Sequence, residues 1–156
     1  MTTPILKTSV CLVLFASSIQ AEGWQTRRIH DKFYAEGASA GDLDSDGHAD
    51  IIAGPLCFLG PAFTDSINIA EPREFPVDTY SDQFFSHVID ANGDGASDVL
   101  VLGFPGKSAR LYVNPGPTAM DQPWVMKEIA DIVDNESPAI VDLLPGGLPE
   151  IVCGRE

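Results

Sequence analysis

Residues 42–50 read Asp42-Leu43-Asp44-Ser45-Asp46-Gly47-His48-Ala49-Asp50, and residues 90–98 read Asp90-Ala91-Asn92-Gly93-Asp94-Gly95-Ala96-Ser97-Asp98. Carboxylate or amide side chains recur at the first, third, fifth and ninth places, and glycine holds the sixth in both. Residues 142–150, Asp142-Leu143-Leu144-Pro145-Gly146-Gly147-Leu148-Pro149-Glu150, form a worn third copy. It keeps the first acid, the glycine at the sixth place and an acid at the ninth, but carries Leu144 and Gly146 at the third and fifth. The copies begin 48 and 52 residues apart.

The flanks repeat with the loops. An apolar run follows each copy: Ile51-Ile52-Ala53-Gly54, Val99-Leu100-Val101-Leu102-Gly103 and Ile151-Val152-Cys153-Gly154. Small or apolar residues precede them at matching offsets, Ala38 and Ala40, Ser86 and Val88, Pro138 and Ile140. Trp24 and Trp124 each stand 18 residues before a loop aspartate and open similar segments. Agreement in several registers at once identifies an internal repeat.

Each unit divides into short strand-like runs between Gly, Pro and Asp turns. In the second unit these are 74–77, 84–89, 98–103 and 110–114; in the first, the segment from Trp24, the run after the loop, and 56–59. Four strands in roughly 45–50 residues is the size of a propeller blade, which buries its sheet faces only against neighbours. The expected fold is all-β, a partial β-propeller of about three blade-like repeats; a β-sandwich of irregular hairpins is the alternative. The count of 14 Gly and 12 Pro in 156 residues fits short elements and leaves little room for long helices.

The loop chemistry points to a hard cation. Asp42, Asp44 and Asp46 crowd three carboxylates into five residues, where their repulsion is relieved by a bound cation. Gly47 permits a sharp turn that brings the His48 carbonyl to the same point, and Asp50 completes the oxygen cage. The equivalents in the second loop are Asp90, Asn92, Asp94, the Ala96 carbonyl and Asp98. An all-oxygen set on a pliable loop suits calcium better than magnesium, giving two expected sites. An EF-hand requires a bidentate Glu at position 12 between two helices. Ala53 and Val101 stand there, inside apolar runs. The alternative is a solvated hairpin turn, for which Asp, Asn and Gly are favoured residues. The third loop, lacking oxygen ligands at two places, is expected to be a metal-free turn that Asp142 and Glu150 serve.

The pattern Asp-x-Asp/Asn-x-Asp-Gly-x-x-Asp followed by an apolar strand resembles the FG-GAP/VCBS repeat family, whose members include the integrin α-chain head. Ala38-Ser39-Ala40-Gly41-Asp42 and Leu111-Tyr112-Val113-Asn114-Pro115-Gly116 are similar to it as well. The resemblance covers about 24–156 and implies a calcium-binding β-propeller. Propellers need 4–8 blades. Three repeats therefore imply either a truncated member or a ring that the remaining blades or other copies of the chain close.

Composition narrows the partners. The net charge of −14, from 9 Lys and Arg against 23 Asp and Glu, argues against nucleic acid and anionic membrane surfaces. Residues 1–21, with Lys7 ahead of the apolar run 9–16 and a small-residue exit at Ala21, read as a signal peptide. The mature chain, 22–156, is then secreted or periplasmic and not membrane-inserted. Cys11 leaves with the signal. Cys57 and Cys153, each in an apolar run, read as two separate buried thiols in preference to a disulfide. The three histidines are scattered and form no zinc pattern with cysteine.

No nucleophile elbow, phosphate loop or metalloprotease helix is present. Glu36 and Glu136 occupy the same repeat offset, with Asp82 near it, and with His87 and Tyr34 these offer acid/base groups for a sugar. The simpler role for such acids is to bind backbone amides in turns; His30 and His87 read as ordinary surface or turn residues. Two classes of function follow. The favoured one is an exported, calcium-binding, non-catalytic module for a protein or glycan ligand. The alternative is a fragment of a secreted carbohydrate-active propeller enzyme of lyase or dehydratase type.

Overall fold

The computed structural model describes residues 23, 26–134 and 136–155. The signal-peptide assignment and Trp24 lie outside the described residues. Among those described the chain is all-β, with ten strands, no helix, and none long and apolar enough to cross a membrane. The strands are β1 (Ala38–Gly41), β2 (Asp50–Ala53), β3 (Leu56–Phe58), β4 (Ser66–Asn68), β5 (Phe85–Ile89), β6 (Asp98–Leu102), β7 (Lys107–Val113), β8 (Val125–Val133), β9 (Ala139–Val141) and β10 (Glu150–Val152).

They form three antiparallel sheets, none closed on itself: β1-β2-β3-β4, β5-β6-β7-β8 and the ribbon β10-β9. Each four-stranded sheet is a meander in chain order, the topology that short turn-rich connections permit. The repeat is visible in register. The residue before each loop pairs with the ninth loop residue, Gly41 with Asp50, Ile89 with Asp98 and Val141 with Glu150. All three carboxylate loops are therefore the same hairpin connection, between the first two strands of a sheet.

The middle sheet explains the unbroken apolar run after the second loop. Strand side chains alternate between faces. Val99 and Val101 join Ile52 and Cys57 of the first sheet, Leu43 of its loop and Ile69 just beyond β4, with Tyr112, Met120 and Trp124, in one core cluster. Leu100 and Leu102 point the other way into a second cluster with Ala109 and Val133, against which Ile140 and Ile151 of the ribbon and Cys153 just after it pack. With both faces covered, all five residues of β6 are buried. The first strands of the two large sheets lie against each other, close enough that a Cβ on Gly41 would meet Val88 Cγ1 at 2.5 Å.

Three expectations need correction. Residues 74–77 form no strand: Pro76 lacks a backbone donor for a ladder, and Phe75 N donates instead to Phe33 O at 2.9 Å. The segment opened by Trp124 is not the start of a third unit. It forms β8, the outer strand of the second sheet, paired with β7 from Val113↔Val125 to Lys107↔Val133. Residues 26–29, its supposed counterpart, form no strand, so the tryptophan match does not carry structure. β4 also lies beyond the strands read from the sequence.

Cys57 is buried in the first cluster, where burial pushes its thiol up to about 12, and Cys153 is half-buried. Both thiols are free.

His87 is likewise no turn residue. It lies in β5, half-buried, its Nε2 buried without a hydrogen-bond partner among the described residues, and burial lowers its pKa. A histidine held neutral by the fold contributes stability above its ordinary value near 6.5, and that contribution is lost as pH falls through the lowered folded value. The parent chain is expected to lose more stability than His87→Gln between pH 7.5 and 5.5 in urea melts. Equal losses would remove His87 from the account.

Candidate metal centre

The two complete loops share three side chain to backbone bonds and differ at the other oxygen of the first residue, where Asp42 Oδ1 accepts from Asp46 N at 3.1 Å and Asp90 Oδ1 from Gly93 N at 2.8 Å. At the first place, Asp42 Oδ2 accepts from Gly47 N at 3.0 Å and Asp90 Oδ2 from Gly95 N at 3.0 Å. At the third, Asp44 Oδ1 accepts from Asp46 N at 3.1 Å and Asn92 Oδ1 from Asp94 N at 2.9 Å. At the fifth, Asp46 Oδ1 accepts from His48 N and Asp94 Oδ1 from Ala96 N, both at 2.8 Å. These side chains mimic a backbone turn while leaving each carboxylate a second lone pair or oxygen for another partner.

Backbone conformation repeats too. The fourth place is left-handed in both, Ser45 at φ 62° and Gly93 at 77°, and the sixth is at 89° in both Gly47 and Gly95. A Cβ on Gly95 would touch nothing within 4 Å, so Gly95→Ala isolates the conformational cost. It is expected to destabilise the chain by about 1–2 kcal/mol in denaturant melts. No loss would mean that the loop backbone is not constrained as described.

The ninth residue does something else. Asp50 and Asp98 are fully buried. Asp50 Oδ2 accepts from Leu43 N at 2.8 Å and Oδ1 from Gly60 N at 2.8 Å. Asp98 Oδ2 accepts from Ala91 N at 3.0 Å and Oδ1 from Asn114 N at 2.8 Å. Each carboxylate thus clasps the start of its loop to the chain leaving the third strand of its sheet. Glu150 repeats half of this, accepting from Leu143 N at 2.8 Å, which fits the turn-serving role expected of it.

The structure brings Asp42, Asp44 and Asp50 together, with one oxygen of each inside 4.8 Å of the others. Asp46 is exposed and stands outside that group among the described residues. In the second loop no three acids converge in this way among the described residues. The Asn92 amide there donates to Asp94 Oδ2 at 2.8 Å, replacing carboxylate repulsion with a hydrogen bond. Asp44's carboxyl is raised by burial, opposed by the Asp46 amide and reinforced by the charges of Asp50, Asp46 and Asp42. Asp98 is also raised by burial, against the Asn114 and Ala91 amides. Asp94 is lowered by the Ala96 amide and the Asn92 side chain. The first loop therefore concentrates uncompensated negative charge, the condition a divalent cation relieves. The donor set, carboxylate oxygens with the His48 and Ala96 carbonyls nearby in sequence, fits a hard cation.

The third loop departs where its sequence does. Pro145 at the fourth place cannot adopt a left-handed conformation, and the positive φ moves to Gly146, at 97°. The backbone path is different, beyond the missing ligands at Leu144 and Gly146.

Asn114 carries a role that the loop spacing does not announce. It is buried, and its Nδ2 donates to Leu43 O at 2.8 Å and Ser97 O at 2.9 Å, tying the first loop to the second. The Asn114-Pro115-Gly116 sequence signals a turn, and nothing local reveals that the amide reaches across 71 residues. Glu36, a candidate acid, accepts from Ser81 N at 2.7 Å and from the Ser81 hydroxyl. Glu136 is exposed.

Compared with protein-family models, with curated proteins and with solved structures, the chain finds no match.

Proposed function

We propose that the chain is an exported calcium-binding β-propeller repeat protein of FG-GAP/VCBS type, acting as a non-catalytic interaction module for a protein or glycan. The observation that carries this reading is the recurrence, at matching places of the first two loops, of one set of bonds and backbone conformations. Three side chain to backbone bonds, two left-handed residues and a buried carboxylate clasp recur in each. Solvated turns need no such agreement, whereas a cation site needs oxygens held in one arrangement. The convergence of Asp42, Asp44 and Asp50 supports calcium in the first loop most directly.

The propeller reading draws on the sheets: consecutive meanders packed face to face, with first strands β1 and β5 adjacent. The ribbon β9–β10 stands as the first two strands of a third blade, and the remaining blades or other copies would close the ring. The engagement of Glu36 with Ser81 favours a binding module over acid/base catalysis, because that carboxylate is already held by a backbone amide and a hydroxyl 45 residues away.

A ligand that binds only the folded state raises stability by RT ln(1 + [L]/Kd), about 2.7 kcal/mol at a hundredfold excess over Kd. Calcium is expected to raise the melting temperature of the chain reversibly, with chelator restoring the original value and magnesium giving a smaller shift. A melting curve indifferent to calcium would overturn the assignment.

A further inference from the structure

At the end of β5 and β6 opposite the 90–97 loop lies a cleft of about 300 Å³, lined by Arg73, Phe75, Tyr80, Asp82, Phe104 and Lys107. Its charge runs against the rest of the molecule. In a chain of net charge −14, Arg73 and Lys107 face one acid, Asp82, which Arg110 also shares. Asp82 Oδ2 is 3.6 Å from Arg73 and Oδ1 is 4.0 Å from Arg110. Both separations exceed hydrogen-bond length, so the carboxylate keeps lone pairs free to accept from hydroxyls. The Lys107 ammonium makes no ion pair among the described residues.

The wall is a supported aromatic platform. Tyr80 is 66% exposed, yet its ring stacks on Phe104 with centroids 4.7 Å apart. Phe84 meets both rings edge-on, at 6.3 Å and 5.4 Å. The Arg73 guanidinium lies 4.7 Å over the Phe75 ring. An exposed tyrosine held by two other aromatics presents its free face to a flat apolar surface, and cations beside it take an anion. A ring with one apolar face, hydroxyls at its rim and a carboxylate satisfies the platform, Asp82 and the two cations together.

We propose that this cleft binds a pyranose carrying a carboxylate, a uronic-acid residue of an acidic glycan. The inference rests on the interaction-module reading and names its ligand class; it does not depend on calcium in the loops.

The test is isothermal titration of the full chain in calcium with a hyaluronan tetrasaccharide, beside the neutral N-acetylglucosamine tetramer and a nucleoside monophosphate. One saturable site for the acidic sugar is expected, weakened at least tenfold by Tyr80→Ala and by Lys107→Gln, with no binding of the neutral sugar. Both residues are exposed, and melting curves check that the variants fold. Absence of binding, or tighter binding of the nucleotide, would overturn the proposal. Sugar binding unchanged in both variants would overturn this cleft while leaving the interaction-module reading intact. Calcium titration of the same samples reports on the loops separately.

Discussion

Asp98→Asn is expected to lower the melting temperature of the chain by about 10 °C, corresponding to about 3 kcal/mol for a domain of this size. The charge itself is not what stabilises: burial raises the Asp98 carboxyl, so the fold holds the ionised form at some cost. What the side chain supplies is two acceptors for the Ala91 and Asn114 amides, in a place closed to water. Asparagine keeps the volume and one acceptor but turns an NH2 group toward the other amide. Two donors then face each other in the interior, and each orphaned buried group costs about 1–3 kcal/mol. Glu150→Gln, at the exposed half-clasp of the third hairpin, is expected to cost less than about 1 kcal/mol. Equal effects at the two places would mean that the buried clasp does not hold the loop to its sheet.

Gly60→Ala is the second large effect. Gly60 donates its amide to Asp50 Oδ1 at 2.8 Å, and an added Cβ there would collide with the backbone oxygen of Ala49. The obstacle is backbone on the loop side, so it cannot rotate away as a side chain does. Relief requires Gly60 to withdraw from Asp50 or the end of the loop to shift. Overpacking costs about 1–3 kcal/mol, and weakening a bond to a buried carboxylate adds to it, for a total of about 2–4 kcal/mol. Because the shift spoils the position of Asp50, calcium affinity at the first loop should fall in the same variant, with the second loop unaffected. A variant as stable as the parent would contradict the close approach.

The sequence made the hairpins legible because their information is local. Asp, Asn and Gly at fixed offsets set the turn, and the alternating environments of Val99–Leu102 set a strand buried on both faces. The loops and the strand starts therefore stand where the spacing puts them, with β2 opening at Asp50 and β6 at Asp98. What was not legible is what depends on distant partners. β8 mixes apolar and charged residues on both faces, and only its pairing with β7 assigns it to the second sheet instead of a third repeat. The Trp24 and Trp124 resemblance misled because the sequence frame and the sheet frame are out of phase. The double role of Asp50 and Asp98 was hidden for the same reason, since their second donors, Gly60 and Asn114, come from beyond the third strand. Asn114 and the Tyr80–Phe104 platform likewise join residues whose meeting no spacing announces.

The proposed calcium sites in the first two loops are tested by isothermal titration of calcium into the chain beside Asp42→Ala and Asp90→Ala. Two sites are expected in the parent. The first loop, with four carboxylates against three in the second, should be the tighter. Each variant should lose one site and keep the other. A folded parent that takes up no calcium, or variants that both retain two sites, would contradict the assignment.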